Sequence, residues 1–236
     1  MYDVVLETEF RDGYMQLAQY DHVGESGDIF VFHSNSCHPY MANDGFSDTA
    51  VMVRLFQWLV GRNTHFTYRL VVGPEHLGTV FYLRDHSDEE VSRYRGGCFG
   101  EMMGTPGPFK VAETFWGNTY LDHIFRHIGK KYGVNPEFVA FRKGVGNDET
   151  VWEAPGYEVP FIQVSRANLG VPFPEYHSSD DNPDLMSHDL LNECFELFKR
   201  VINVLETNVT CKRKFSGLIA LLIPSTICIV CELILQ

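Results

Sequence analysis

Between residues 29 and 72 three patterns follow one another, and together they leave few folds open. Ile29 to His33 is a short apolar run that stops at the polar Ser34-Asn35-Ser36, which marks a strand buried on both faces. After a loop rich in Pro, Asn, Asp and Gly, residues Asp48 to Val60 carry apolar positions at helical spacing, with Ser47 or Asp48 placed to cap the start and Gly61 to end it. Thr67 to Val72 then reads as a second buried strand, closed by Gly73-Pro74. Strand, crossover helix, strand is the βαβ unit, whose handedness makes the two strands parallel neighbours with their carboxyl ends on one edge of the sheet. Open α/β sheets bind ligands at that edge, and His38 and Glu75 fall just beyond the two strand ends.

The rest of the chain continues the alternation. Val4 to Phe10 and Tyr14 to Tyr20 flank Asp12-Gly13, a hairpin signal. Gly97 to Met103 and Val159 to Val164 predict strands. Asn118 to Tyr132 predicts a helix whose basic end, Lys130-Lys131, suits the helix dipole. His188 to Leu205 predicts a long amphipathic helix, with Leu190, Leu191, Cys194, Leu197, Phe198, Val201, Ile202 and Leu205 on one face. The polar loops 144–156 and 168–184, rich in Gly, Pro and ionisable groups, are the other candidate sites of function.

A chain of 236 residues with 44% apolar and 21% charged residues forms one α/β domain with a single core. The net charge of −12, from 31 acids against 19 bases, excludes a nucleic-acid surface, because phosphate binding needs a basic face. Six dispersed cysteines (Cys37, Cys98, Cys194, Cys211, Cys228, Cys231) without a signal-peptide pattern predict a cytoplasmic body and no disulfide framework. Cys228-x-x-Cys231 lacks a partner pair for zinc and is taken as small buried residues.

The domain is expected over residues 1–211, with 212–236 as a separate apolar tail. Lys212-Arg213-Lys214 precedes a mostly apolar stretch from Leu218 to Leu235, interrupted by Pro224 and Glu232. A membrane anchor, a buried terminal strand and an aberrant terminus from a shifted frame or mis-spliced exon all remain open for it. Membrane contact is expected only in the first case.

Four clusters carry ionisable groups in strand-end loops. His38 and Asp44 pair an imidazole with a carboxylate, a natural first-row metal pair; alternatively, His38 is a locally bonded loop residue and Asp44 a helix cap. Glu75, in Gly73-Pro74-Glu75-His76-Leu77-Gly78, is placed as a general base, or sits on a surface turn. Asp148 lies in Gly146-Asn147-Asp148-Glu149. His177 is flanked by carboxylates, including Asp180, Asp181 and Asp184, that could orient its ring.

These pieces, in order, resemble a known family. His38-Pro39 with Ala42-Asn43-Asp44, Pro74-Glu75-x-x-Gly78, Gly107-Pro108-Phe109, Gly146-Asn147-Asp148-Glu149 and Glu175-Tyr176-His177-Ser178-Ser179 resemble the bacterial aminopeptidase-like domain proteins found with polysaccharide biosynthesis genes. These are relatives of the co-catalytic zinc aminopeptidases. The resemblance covers Tyr2 to about Ala220, and the relatives extend further at the amino end, so this domain is expected to lack an opening segment. It implies a zinc-exopeptidase-like fold: three layers, α/β/α, around a mixed, largely parallel sheet.

The resemblance also implies one or two zinc ions. His38, Asp44 and Asp148 would hold one, and Asp44 would bridge to a second site completed by His177. Glu75 would be the base and Tyr176 a donor to the oxyanion. The implied substrate is a peptide or small amide cleaved beside a free amine. Three positions depart from the pattern. His76 stands where the aminopeptidases carry a second, ligating glutamate, so that His76 replaces that ligand or the second metal site is weak. Tyr40 stands where they carry an aspartate, and Asp48 replaces a small glycine at the helix start. The alternatives are therefore a catalytically impaired binding domain, or an amidohydrolase or acyl transferase acting on a modified sugar or small molecule.

Overall fold

A computed structural model describes residues 3–132, 136–168, 170–213 and 231–235. Seven strands form one mixed sheet in the order β1-β3-β2-β4-β7-β5-β6: β1 (Ala18–His22), β2 (Ile29–Asn35), β3 (Thr67–Gly73), β4 (Tyr94–Glu101), β5 (Lys110–Ala112), β6 (Glu137–Val139) and β7 (Phe161–Ser165). The four central strands, β3, β2, β4 and β7, are parallel. β1 runs antiparallel to β3 at one edge; at the other, β5 is antiparallel to β7 and parallel to β6.

The pleat of β2 explains the layering. Phe30 and Phe32 face one side and Ile29 and Val31 the other, because successive side chains alternate. The first side carries the larger core, filled by α1 (Ser47–Leu59), α4 (Tyr120–Tyr132) and α6 (His188–Thr207). The second carries α2 (Leu77–Arg84) and α5 (Glu149–Trp152), with Leu83 and Trp152 against Val31, Val71 and Phe161. α3 (Asp88–Val91) is a single turn closed by a capping box between Ser87 and Glu90. The result is the three-layer α/β/α architecture.

All seven residues of β2 are buried, as a central parallel strand requires. On α6 the apolar stripe from Cys194 to Leu205 is buried, whereas Leu190 and Leu191 are only half-buried. The far end of α6 grips the entry to β3: the Glu206 carboxylate accepts from the His65 and Phe66 amides (2.6 and 3.3 Å) and from the Tyr68 hydroxyl (2.7 Å).

Three local expectations change. The hairpin over 4–20 is replaced by the edge strand β1 alone, and residues 3–17 carry no regular structure while Val4, Leu6 and Phe10 stand exposed. A two-stranded ribbon needs an apolar face to pack on, and this segment meets none. Neither Ser47 nor Asp48 caps α1, whose cap residue is Phe46 with no side-chain bond. Gly61 does follow the helix end, at φ 77°, the left-handed conformation that glycine adopts most easily.

In the tail, β8 (Val209–Arg213) pairs antiparallel with β9 (Cys231–Leu235) in a separate two-stranded ladder, and β8 crosses the boundary expected between 211 and 212. Cys228 and the stretch 214–230, which holds most of the proposed anchor, lie outside the described residues. No helix among the described residues is long and apolar enough to cross a membrane.

Phe198 is fully buried and meets Phe32 edge-on at 5.8 Å. Phe198→Ala should lower the unfolding free energy by about 3–5 kcal/mol, read from urea denaturation; a change below about 1 kcal/mol would contradict this packing.

Candidate metal centre

β2 ends at Asn35, and the chain returns to the sheet edge through a wide turn at Ala42–Phe46 before entering α1. Gly45 makes that turn possible. At φ 122°, a Cβ there would lie 2.1 Å from Met41 Cε and 3.1 Å from the Asn35 carbonyl oxygen, so a side chain is excluded. The turn is then pinned from two directions. Asp181, buried in the 170s loop, accepts from the Asn43 and Asp44 amides at 2.8 and 3.1 Å. The Asn43 side chain accepts from the Gly104 amide (2.8 Å) and donates to Thr105 (3.2 Å), and Ser47 Oγ accepts from the Met103 amide (2.8 Å).

Asp44 is thereby presented to two imidazoles. Its Oδ2 lies 3.2 Å from His38 Nε2 and 3.2 Å from His177 Nε2, with the two rings perpendicular at 4.9 Å. His38 Nδ1 lies 2.9 Å from the Pro39 carbonyl, which accepts only from a protonated nitrogen, so a neutral His38 aims the Nε2 lone pair at the carboxylate. A lone pair facing a carboxylate oxygen repels it unless a cation or a proton sits between them, and His177 Nε2 converges on the same oxygen. Separations of 3.2 Å are slightly shorter than the edges, about 3.3–3.6 Å, of a tetrahedral set with bonds of about 2.0–2.2 Å. Among the described residues, His38, Asp44 and His177 are the one group of potential ligands gathered in this way.

Behind them lies an acidic layer, with Glu101 buried and Glu75 half-buried. Glu75, just past β3, accepts at Oε1 from the Asn147 side-chain amide and at Oε2 from the Cys37 thiol at 3.8 Å. The same Asn147 nitrogen donates to Glu101 Oε1 at 2.7 Å, and Gln163 donates to Glu101 Oε2 at 3.1 Å. Burial, then the charges of Asp44, Glu75 and Asp48, push the Glu101 carboxyl far above the ordinary carboxylate range. Asp44 is also raised, chiefly by burial, while His38 and His177 pull it back. Asp48 is fully buried at the start of α1 with neither oxygen hydrogen-bonded, and burial raises it well above its usual value. No lysine or arginine pairs with Asp44, Glu75 or Glu101 among the described residues. The donor set therefore suits a divalent cation, which would neutralise this layer.

Not every expected ligand joins the group. Asp148 is fully buried and lies outside the group; its Oδ1 accepts from the His76 amide (3.0 Å) and from Thr79 (2.5 Å), holding the Glu75-His76 turn, while its Oδ2 has no hydrogen-bond partner. Beneath it, Trp152 Nε1 donates to His33 Nδ1 at 3.1 Å, and burial lowers the His33 pKa, keeping that ring neutral. The His76 imidazole is exposed and outside the group, on the side of Glu149. Asp180 and Asp184 are exposed, and Asp181 grips backbone amides instead of an imidazole.

Tyr176 stacks on His177 at 3.8 Å and on edge against Phe173. Burial and the carboxylates of Asp44, Glu101 and Glu75 raise its phenol pKa, so the hydroxyl stays protonated. Tyr40, His76, Met102 and His177 all have φ between 53° and 56°, and such strain concentrates at functional sites. Glu101 is the residue the sequence reading passed over. The strand was expected to run on to Met103, which placed Glu101 inside it; β4 ends at Glu101 itself, on the ligand-binding edge.

The profile of the family described as "Domain of unknown function (DUF4910)" matches residues 5–208. The chain belongs to this family. A relative in Clostridium acetobutylicum, described as a polysaccharide biosynthesis protein with an aminopeptidase-like domain, is 27% identical over 213 residues, covering 89% of this chain and 47% of that protein. This chain thus spans about half the length of the curated relative it matches. A crystal structure from Clostridium acetobutylicum, described as a peptidase, superposes with a TM-score of 0.76 at 25% identity, covering 85% of this chain and 47% of that one. BSAP, a zinc aminopeptidase from Bacillus subtilis, gives a TM-score of 0.67 at 18% identity, covering 85% and 51%. A glutaminyl cyclase from an Acidobacteriales bacterium gives 0.65 at 17% identity, covering 81% and 74%. The DUF4910 chain therefore has the aminopeptidase-like fold that its motifs resemble.

Glu149 provides a pH test of this region. Its carboxylate accepts from the Asn147 amide, and burial pushes its pKa from 4.5 to about 7. The folded state holds this proton more tightly than the unfolded chain, so the contribution is fully present below about 4.5 and is lost as pH rises towards about 7. Urea denaturation between pH 5 and pH 8 should show a shallower decline of stability with pH for Glu149→Gln than for the wild type. Equal slopes would contradict the assignment.

Proposed function

We propose that this chain carries the catalytic centre of a zinc-dependent hydrolase of aminopeptidase type, cleaving an amide bond beside a free amine. The observation that carries the reading is Asp44 Oδ2 facing two imidazole nitrogens at 3.2 Å, with Glu75 held beside it by Asn147. His38, Asp44 and His177 would hold the ion. Asp148 and Glu101 are the buried carboxylates that would extend the set: Asp148 keeps a buried Oδ2 with no hydrogen-bond partner, while Glu101 accepts from Asn147 and Gln163. Zinc supplies Lewis-acid polarisation and lowers the pKa of water towards about 7.

The protein groups then divide the work. Glu75 accepts the proton of the attacking water and returns it to the leaving amine, the usual service of a positioned carboxylate. Asn147 fixes one Glu75 oxygen, and the other, which meets only the weak Cys37 thiol donor at 3.8 Å, receives that proton. Tyr176, kept protonated by its surroundings, donates to the oxygen on which charge develops. The carboxylate charge that the ion leaves uncompensated favours the amine of the substrate. A peptide or a small amide with a free amino group is the substrate class that meets these terms.

A second reading has one observation in its favour. His76 lies outside the ligand group, so the described donors serve one ion, and the same fold hosts a glutaminyl cyclase. An acyl transfer within the substrate, or on a modified sugar, would use the same base and donor. Hydrolysis is tested with aminoacyl p-nitroanilides on the purified chain. Glu75→Gln should lower kcat by about 10²–10⁴-fold with zinc retained by elemental measurement, while Asp44→Ala should lose both. Zinc-free wild-type protein, or full activity in Glu75→Gln, would overturn the reading.

A further inference from the structure

β5 is antiparallel to β7, with Lys110 opposite Ser165 and Ala112 opposite Gln163. The chain leaving β5 therefore runs towards the amino end of β7, the sheet edge opposite the metal centre. There the loop after β5 and the segment joining α5 to β7 enclose a pocket of about 230 Å³, lined by Phe115, Trp116, Glu153, Pro155 and Glu158. None of these residues is basic. Trp116 and Phe115 leave 67% and 58% of their surface to solvent, whereas rings of this size are normally covered.

The wall is built rather than loose. Phe115 meets Trp116 edge-on at 5.1 Å and Phe141 edge-on at 5.6 Å. Its amide donates to both oxygens of Glu153 at 2.9 Å. Glu158 borders the same space, at φ 51°. The chemistry is one-sided: aromatic faces carry negative quadrupole charge, and two carboxyl groups flank them without a cation from the lining. Burial, with Asp122 and Glu149 nearby, pushes Glu153 up to about 8, and a positive guest would bring it back to the ionised form. Aromatic faces beside carboxylates are the combination that selects ammonium and guanidinium groups over neutral ones.

We propose that this pocket binds an organic cation, an ammonium or guanidinium head group, with Trp116 as its platform and Glu153 and Glu158 as its counter-charges. The site is separate from the metal centre and does not depend on it. The source is a free quaternary ammonium compound or a lysine or arginine side chain of a protein, and the probes distinguish them.

The test is calorimetric titration of the full chain with choline against neutral 3,3-dimethylbutan-1-ol, and with N-acetyl-lysine amide against N-acetyl-norleucine amide. At least one cation should bind about tenfold more tightly than its neutral counterpart. Binding of choline above the lysine amide assigns a free ligand, and the reverse assigns a protein side chain. Trp116→Ala should weaken the cation about tenfold and Glu158→Gln severalfold, with circular dichroism unchanged because both side chains are exposed. EDTA-treated protein should bind equally well, which keeps the result independent of zinc chemistry. Equal binding of charged and neutral probes, no binding at all, or undiminished binding in Trp116→Ala would overturn the proposal.

Discussion

The structure turns on one carboxylate held where it has no comfortable partner. Asp44 is buried in a turn that only glycine at 45 can close, and its oxygen faces two imidazole nitrogens. Holding such a group costs several kcal/mol unless charge compensates it, and the molecule applies constraint from both flanks to keep it there. Asp181 takes the turn's amides from one side; Ser47 and Asn43 tie it to the end of β4 from the other. The centre is thus preorganised by hydrogen bonds to backbone, whose positions the sheet itself determines.

The loop containing Gly146 to Glu149 organises the second half of the centre. Asn147 bridges Glu75 and Glu101 with one amide nitrogen, Asp148 binds the amide of the Glu75-His76 turn, and Glu149 closes back on the Asn147 amide. One short segment therefore positions Glu75, Glu101 and itself. Asp148 supports the Glu75-His76 turn through Oδ1 alone, and its buried Oδ2 has no hydrogen-bond partner. Metal centres depend on such supporting groups nearly as much as on the ligands.

Much of the frame was legible in the chain. The run from Ile29 to Asn35, the helix that follows and the strand from Thr67 specified a parallel pair and its ligand-binding edge, because burial on both faces and helical spacing leave distinct residue patterns. His38, Asp44 and His177 were legible as chemistry, since each sits in a loop after a strand end or among ionisable neighbours. The short strands β5 and β6, at three residues each, and the single turns α3 and α5 were not, because four residues or fewer carry no readable period. The opening hairpin was wrongly expected because the alternation of Val4 to Phe10 records a preference for pairing, not the presence of a surface to pair on.

What the sequence determined by itself is the inventory and the edge: which residues can bind a metal or move a proton, and the side of the sheet on which they emerge. Tertiary structure decided which of them meet. His177 lies 133 positions from Asp44 along the chain, and only the closure of the 170s loop onto the turn, through Asp181 and two backbone amides, brings the pair to 3.2 Å. It also set Asp148 Oδ1 against Thr79 and the His76 amide and joined Glu101 to Glu75 through Asn147, because such contacts depend on strand ends and loop packing that no local pattern encodes.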